Sequence, residues 1–113
     1  MKQQPFLSLL SLLRELEHKA LIPAIDPIEE RLLYELALCW LRKRPVTVLN
    51  AMHLNFGVSP ATVHRRLKTL RKKGLIRLEV QEDDSRIKHI QPTAVTRSYF
   101  ERLDHCMLQV LQD

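Results

Sequence analysis

Residues 59–76 read SPATVHRRLKTLRKKGLI and carry the signals of one short amphipathic helix. Ser59 is a favourable N-cap, Pro60 suits the first helical position, and Gly74 is suited to end the helix. Between these signals, apolar residues recur at positions i, i+4 and i+7, which predicts a helix with one buried side. The inward-facing residues are Val63, Leu67 and Leu70, so the basic residues point elsewhere.

The remaining surface of this helix is basic. Residues 59–76 hold six basic residues and no acidic one, and Arg77 makes seven. The whole chain of 113 residues has 18 basic and 13 acidic residues, so the remainder carries a net charge of −2. Positive charge concentrated on one segment is typical of nucleic-acid binding. A solvated helix face is the alternative, but such faces usually mix both signs.

Two further helices are predicted ahead of the basic one. Asp26 is a favourable N-cap and Glu29 completes a capping box with it, so a buried core helix is predicted over residues 27–43. A shorter helix is predicted over residues 47–55. The segment NFGVSP then forms a turn, because Gly57 can adopt the left-handed conformation.

The apolar period changes after Gly74. Residues 76–81, IRLEVQ, alternate apolar and polar side chains, which predicts a half-buried strand. The segment EDDS has turn chemistry. Residues 86–91, RIKHIQ, predict a second strand, although Ile87 and Ile90 are three apart rather than two. The two strands together predict a β-hairpin.

Helices rich in apolar residues are predicted at both ends of the chain. The first covers residues 6–20, and Thr93 caps the last, over residues 94–111. Both have apolar surface wider than one stripe, and exposed surface of that kind usually marks an interface. A homodimer formed mainly by the two terminal helices is therefore predicted. Packing of both helices on the chain's own core is the alternative.

The order of these elements indicates a particular architecture. Two short helices joined by a tight glycine turn, the second one basic, indicate a helix-turn-helix, and the hairpin after it is a wing. The predicted fold class is mainly α with a small β-hairpin, a winged helix-turn-helix flanked by N- and C-terminal helices. One domain is predicted, with the N-terminal helix and linker at 1–25, the winged-helix core at 26–92 and the C-terminal helix at 93–113.

The segment GVSPATVHRRLKTLRKKGLI resembles the recognition-helix segment of MarR-type bacterial transcription regulators. That family's wing pattern is matched by Asp84, Arg86, Ile90 and Thr93. The resemblance extends over residues 46–93 and implies a homodimer on pseudo-palindromic DNA. It also implies that Arg86 reaches the minor groove and that Asp84 fixes a nearby basic side chain. A simple turn residue is the other interpretation of Asp84.

The predicted function is sequence-specific binding of double-stranded DNA by a transcriptional regulator. The major groove admits one α-helix, so residues 60–73 are the predicted recognition helix, with the wing, residues 77–91, on the backbone or in the minor groove. Arg65 can bond guanine and Thr62 can touch a thymine methyl, whereas the lysines are candidates for phosphate contact or solvated charges. The predicted DNA-binding residues are Ser59, Pro60, Thr62, His64, Arg65, Arg66, Lys68, Thr69, Lys72, Lys73, Arg86 and Lys88.

Other functional classes have less support in the sequence. It contains no nucleophile motif, paired carboxylate site or phosphate loop, so an enzyme is not predicted, and no metal or cofactor site is predicted either. Cys39 and Cys106 lie far apart and no apolar run is long enough to span a membrane, which favours a reduced, cytoplasmic protein. No effector is indicated. The remaining alternative is a winged-helix protein–protein interaction module without DNA binding, although such modules usually lack a uniformly basic second helix.

Overall fold

The computed structural model describes residues 4–112, which form five α-helices and two β-strands. The helices are α1 (Pro5–His18), α2 (Pro27–Leu41), α3 (Val48–Met52), α4 (Pro60–Lys72) and α5 (Ala94–Gln112), and the strands are β1 (Ile76–Gln81) and β2 (Asp84–Pro92). The predicted fold class, mainly α with one hairpin, is confirmed. The predicted end segments also include residues 1–3 and 113, which lie outside the described residues.

The chain divides into two compact units. One comprises residues 25–93 and contains α2, α3, α4 and the hairpin. The other is formed by the two ends, up to residue 24 and from residue 94, and contains α1 and α5. The organisation of the chain as a single domain stays a prediction.

The helix α2 begins where it was predicted and ends two residues early. The Asp26 carboxylate accepts from the Glu29 amide at 2.7 Å, and the Glu29 carboxylate accepts from the Asp26 amide at 2.8 Å, so the capping box is confirmed. At the other end, Lys43 adopts a φ of 55° and the Arg44 amide donates to the Cys39 carbonyl at 2.9 Å. These contacts form a Schellman motif, which satisfies the last carbonyls and ends the helix.

The helix α3 is also shorter than predicted. Thr47 caps it by accepting from the Asn50 amide at 3.0 Å, and the helix ends at Met52 rather than at residue 55. The chain leaves the helix there because Phe56 turns inward and is buried, while Gly57 takes a φ of 86°. The predicted turn with a left-handed glycine is therefore correct.

The core of residues 25–93 lies between α2, α4 and the base of the hairpin. Gly74 ends α4 as predicted, with a φ of 76° and a bond from the Leu75 amide to the Leu70 carbonyl at 3.0 Å. This second Schellman motif returns the chain to the core at once. The buried apolar residues of this unit are Leu32, Leu33, Leu36, Val46, Ala51, Phe56, Val63, Leu67, Leu70, Leu75, Ile76 and Ile90.

The hairpin is antiparallel and irregular near its tip. Val80 lies opposite Lys88, whereas Gln81 lies opposite Asp84, so residues 85–87 have no register partner on β1. Extra residues on one strand form a β-bulge, which changes the side that each later side chain faces. Ile90 is buried in the core, whereas Ile87 lies in the irregular segment, is half-buried and faces the groove, so the two isoleucines do not form the single apolar face of a regular strand.

A short backbone pairing beside the hairpin was not predicted. The Ile90 amide donates to the Val46 carbonyl at 2.8 Å, and Thr47 forms an isolated antiparallel bridge with His89. The segment that leads into α3 thus runs along β2 as a very short third strand. This pairing sets the distance between α3 and the wing.

In the second unit, α1 and α5 pack against each other, with Leu16 and Cys106 among the buried residues. Both helices nevertheless keep large apolar side chains on the surface. The exposed residues are Phe6, Leu7, Val95, Met107, Leu108 and Leu111. These two helices therefore have apolar surface that their packing against each other leaves uncovered.

Candidate nucleic-acid interface

The outer side of α4 carries an exposed strip of cations. Arg65, Lys68 and Lys72 are all exposed, opposite the apolar residues that the helix buries. Successive residues of an α-helix are rotated by about 100°, so these three side chains share one side of the helix. We call Arg65, Lys68 and Lys72 the basic strip.

Hydrogen bonds link three side chains at the start of α4. The Ser59 hydroxyl accepts from the Thr62 amide at 3.1 Å, which confirms the predicted N-cap, and it donates to Thr62 Oγ1 at 2.9 Å. The Arg65 guanidinium donates to the same Oγ1 at 3.3 Å. The hydroxyl of Thr62 therefore holds the guanidinium of Arg65 at the exposed start of the helix.

A groove of about 920 Å³ lies between α3, the first turns of α4 and the wing. Its apolar lining comes from Val48, Leu49, Met52, Ala61 and Ile87, and its cations are Arg65, Arg86 and Lys88. Thr47, Asn50 and His64 complete the lining. We call these apolar residues the floor of the groove and its three cations the rim, and Arg65 belongs both to the rim and to the basic strip.

The contribution of α3 to this groove was missed in the sequence. Leu49 lines the groove and is 66% exposed, and no residue of its helix was among the predicted site residues. A leucine placed outside the apolar stripe of a short helix was the available signal. Charge patterning does not detect an exposed apolar residue of this kind.

The wing presents one arginine in a fixed position. The Asp84 carboxylate accepts bonds from Nε and Nη2 of Arg86 and from its amide, each at 3.0 Å. The pKa of Asp84 is lowered by the Arg86 side chain and then by its amide, and the pKa of Arg86 is raised by the same carboxylate. The Arg86 side chain is 88% exposed, so the aspartate orients it without covering it.

Two predicted site residues of α4 and its C-cap residue, Lys73, face the start of α2 instead. Glu29 is 2% exposed, and its carboxylate accepts from Lys73 Nζ at 2.7 Å and from Thr69 Oγ1 at 2.7 Å. Arg66 Nε lies 2.8 Å from the Asp26 carboxylate and forms an ion pair with it. Among the described residues, this Nε has no partner in the right direction for a hydrogen bond. We call these five residues the α2–α4 cluster.

The charge state of Glu29 follows from its partners. Burial alone would raise the pKa of this carboxyl group, but bonds from Lys73, Thr69 and the Asp26 amide, together with the charge of Lys73, hold the pKa below its ordinary value. Glu29 is therefore an ionised, fully bonded carboxylate inside the unit.

The predicted residues thus fall into two groups. Around the groove and the basic strip the structure brings together Thr62, His64, Arg65, Lys68, Lys72, Arg86 and Lys88, with Ser59 and Pro60 exposed at the start of α4. Arg66, Thr69 and Lys73 lie apart from them, in the α2–α4 cluster. Charge patterning alone did not separate these two groups.

Comparison with known proteins agrees with this geometry. Residues 55–77, which span the turn, α4 and the start of β1, match a family model described as winged helix-turn-helix DNA-binding. The fold is a winged helix-turn-helix. A comparison with curated protein sequences found no match.

Solved structures share this winged helix-turn-helix at low sequence identity. A MarR-like transcriptional regulator from Thermotoga maritima superimposes with a TM-score of 0.62 at 18% identity, covering 95% of this chain and 75% of that one. A probable transcriptional regulator from Pseudomonas aeruginosa gives 0.57 at 18% identity, covering 96% and 75%. A heme sensor protein from Streptococcus agalactiae, solved with heme, gives 0.59 at 15% identity, covering 96% and 77%.

The part of the chain from residue 4 to residue 112 contains no group of three His, Cys, Asp or Glu side chains that could hold a metal ion. It also contains no helix long and apolar enough to cross a membrane.

Proposed function

We propose that the protein is a cytoplasmic transcriptional regulator that binds double-stranded DNA in a sequence-specific way. The observation that carries the proposal is that the basic strip of α4 and the cation-rimmed groove form one continuous surface, joined at Arg65. The winged helix-turn-helix fold and its MarR-like neighbours support the same conclusion.

The helix α4 is the element proposed to enter the major groove. A helix with its side chains fits that groove, and the phosphates on either side of it attract cations. Lys68 and Lys72 lie on the exposed side and act on phosphate. Arg65 and Thr62, at the capped start, act on base edges, because an arginine held by a neighbouring hydroxyl is preorganised for two bonds to guanine.

The groove beside α4 is proposed to hold the backbone of one DNA strand. Phosphates would face the positive rim at Arg65 and Lys88, while the carbon atoms of the deoxyribose rings would face Leu49 and Met52 on the apolar floor. Arg86, oriented by Asp84, is proposed to reach the backbone or the minor groove. Double-stranded RNA fits less well, since its deep major groove is too narrow for a helix.

A homodimer is part of the proposal. The exposed apolar residues of α1 and α5 would be covered by the same helices of a second copy. Two-fold symmetry would then present two α4 helices to half-sites about 34 Å apart.

The experiment that tests the function is selection of bound duplexes from a random DNA pool, followed by binding of Arg65→Ala to the selected site and to scrambled DNA at two salt concentrations. A base contact predicts a loss of about 1–3 kcal/mol on the selected site and relaxed preference at one base pair. Leu41→Ala, an exposed change at the end of α2 outside the groove, is the control and should bind like the wild type.

Two outcomes would change the proposal. Equal losses on both duplexes would make Arg65 a phosphate contact. If the wild type selects no sequence and elutes early from heparin, the protein–protein interaction module would replace the DNA-binding function.

A further inference from the structure

Resting on the proposed function, we propose that Asp26 and Glu29 are positioning residues for DNA recognition. They fix the orientation of α4 by holding Arg66, Thr69 and Lys73, and these three side chains therefore do not contact DNA. The basic helix then has two kinds of cation: the basic strip, which acts on the nucleic acid, and the cations of the α2–α4 cluster, which act on the helix itself.

The geometry of Glu29 makes release of Lys73 unfavourable. The carboxylate is 2% exposed and takes bonds of 2.7 Å from Lys73 Nζ and from Thr69 Oγ1. If Lys73 moved to a phosphate, it would leave a buried carboxylate without its counter-charge, and an uncompensated buried charge costs far more than an exposed ion pair contributes. Lys73 therefore stays with Glu29 when DNA binds.

The position of Lys73 on the helix agrees with this assignment. Lys72 belongs to the basic strip and is exposed, whereas Lys73 follows it after a rotation of about 100° and its side chain is 31% exposed. Two adjacent lysines at the same end of α4 thus point to different surroundings. They provide a matched pair for separating the two kinds of cation.

The capping box connects this cluster to the fold. Asp26 and Glu29 are bonded to each other's amides, so their carboxylates are fixed relative to the first turn of α2. Arg66 and Lys73, the C-cap residue of α4, are seven positions apart, about two helical turns, so the two contacts hold both ends of a segment. Two separated contacts restrain rotation of α4 about its axis, and that rotation decides which side chains face the bases.

The test compares Lys72→Met with Lys73→Met on the selected duplex and on scrambled DNA over a series of salt concentrations. For Lys72→Met, the slope of log affinity against log salt should fall by about 0.9 on both duplexes. For Lys73→Met, the slope should not change, while affinity for the selected site falls at least fivefold and affinity for scrambled DNA stays within twofold. A slope change for Lys73→Met equal to that for Lys72→Met would overturn the proposal.

A second set of variants tests the carboxylates directly. Glu29→Gln should reduce the ratio of selected to scrambled affinity as Lys73→Met does. The double variant should lose no more of this ratio than the more affected of the two single variants, because both residues act through one contact. If the two losses multiply, or if Glu29→Gln keeps the full ratio, Glu29 does not position α4.

Asp26→Asn keeps the proposal testable if Glu29→Gln fails to fold. Asparagine is also a good N-cap, so α2 should still form while the charge opposite Arg66 is lost. A reduced ratio with an unchanged salt slope supports the positioning role, and an unchanged ratio contradicts it. The Lys72→Met result reports on DNA binding separately, so failure of the positioning role and failure of the proposed function are distinguishable.

Discussion

The indole Nε1 of Trp40 donates a hydrogen bond of 3.0 Å to the main-chain carbonyl of Ile90, and this bond ties the end of α2 to the hairpin. The amide of the same Ile90 donates to Val46. One residue of β2 is therefore held from two sides. Since Asp26 and Glu29 hold α4 at the other end of α2, this helix contacts both elements proposed to meet DNA.

Trp40→Phe should destabilise the fold by about 1–3 kcal/mol, because the Ile90 carbonyl loses its donor while it remains largely shielded from water. Urea unfolding at neutral pH measures the change. Leu41→Ala, an exposed neighbour, is the control and should stay within about 0.5 kcal/mol of the wild type. If Trp40→Phe is as stable as the wild type, the bond makes no net contribution to the free energy of unfolding.

Lys43→Gly should stabilise the protein by about 1 kcal/mol. Lys43 has a φ of 55°, and a side chain in the left-handed region is strained, whereas glycine at this position of a Schellman motif is not. Thermal unfolding measures the gain. Lys43→Ala removes the same charge and keeps the strain, so a gain of equal size in that variant would assign the effect to charge instead.

The stability of the protein should fall in acid partly through Glu29. Its pKa in the folded protein is lowered from the ordinary value of 4.5, because its hydrogen bonds and the charge of Lys73 outweigh burial. The stabilisation is therefore fully present above the unfolded pKa of 4.5 and is lost as the pH falls through the lower folded pKa. Glu29→Gln should flatten this decline in urea midpoints recorded from pH 6 to pH 3. Glu30→Gln, at an exposed neighbour, should retain it, and a wild-type slope in Glu29→Gln would contradict the assignment.

Leu49→Glu should weaken binding to all DNA by at least tenfold at low salt, since it places a negative charge on the floor of the groove beside the proposed phosphates. Leu41→Glu makes the same change at an exposed leucine of α2 outside the groove and should bind normally. Fluorescence anisotropy with a labelled duplex measures both. Similar affinities for the two variants would remove the groove from the interface.

Leu108→Glu with Leu111→Glu should convert a dimer into a monomer, because charges would replace exposed apolar residues of α5 at the proposed subunit contact. Light scattering on a sizing column at micromolar concentration measures the mass. Leu49→Glu, an exposed leucine of the other unit, should leave the mass of the dimer unchanged. A wild type that elutes as a monomer would exclude the dimer at that concentration.

Features determined by neighbouring residues were predictable from the sequence. The capping box of Asp26 and Glu29, the Ser59 cap and the glycine at position 74 depend on residues a few positions apart, and all three are present. The ends of α2 and α3 were placed too late, because Lys43 takes a left-handed conformation that lysine rarely adopts and Phe56 is drawn into the core. Local sequence propensity predicts neither the left-handed conformation of Lys43 nor the burial of Phe56.

The site was less predictable, because its decisive contacts are distant in sequence. Lys73 was a candidate for phosphate contact or a solvated charge, but its side chain bonds to the buried Glu29, which lies 44 residues earlier. The Thr47–His89 bridge and the bulge in β2 likewise depend on tertiary pairing, so the groove they shape was not foreseen. Charge patterning indicated the basic helix but not which of its cations have partners within the fold.

The bond between the Ile90 amide and the Val46 carbonyl has a consequence for how the groove opens. It joins the segment before α3 to β2, so the two walls of the groove belong to one network of main-chain bonds. Hydrogen exchange at the Ile90 amide should therefore be slow and should report movement of both walls together, as expected for a cooperative unit. The groove can then widen only if these main-chain bonds break, which is a local unfolding event rather than a side-chain rearrangement. The free energy of that local unfolding limits the fraction of time for which the two walls are separated.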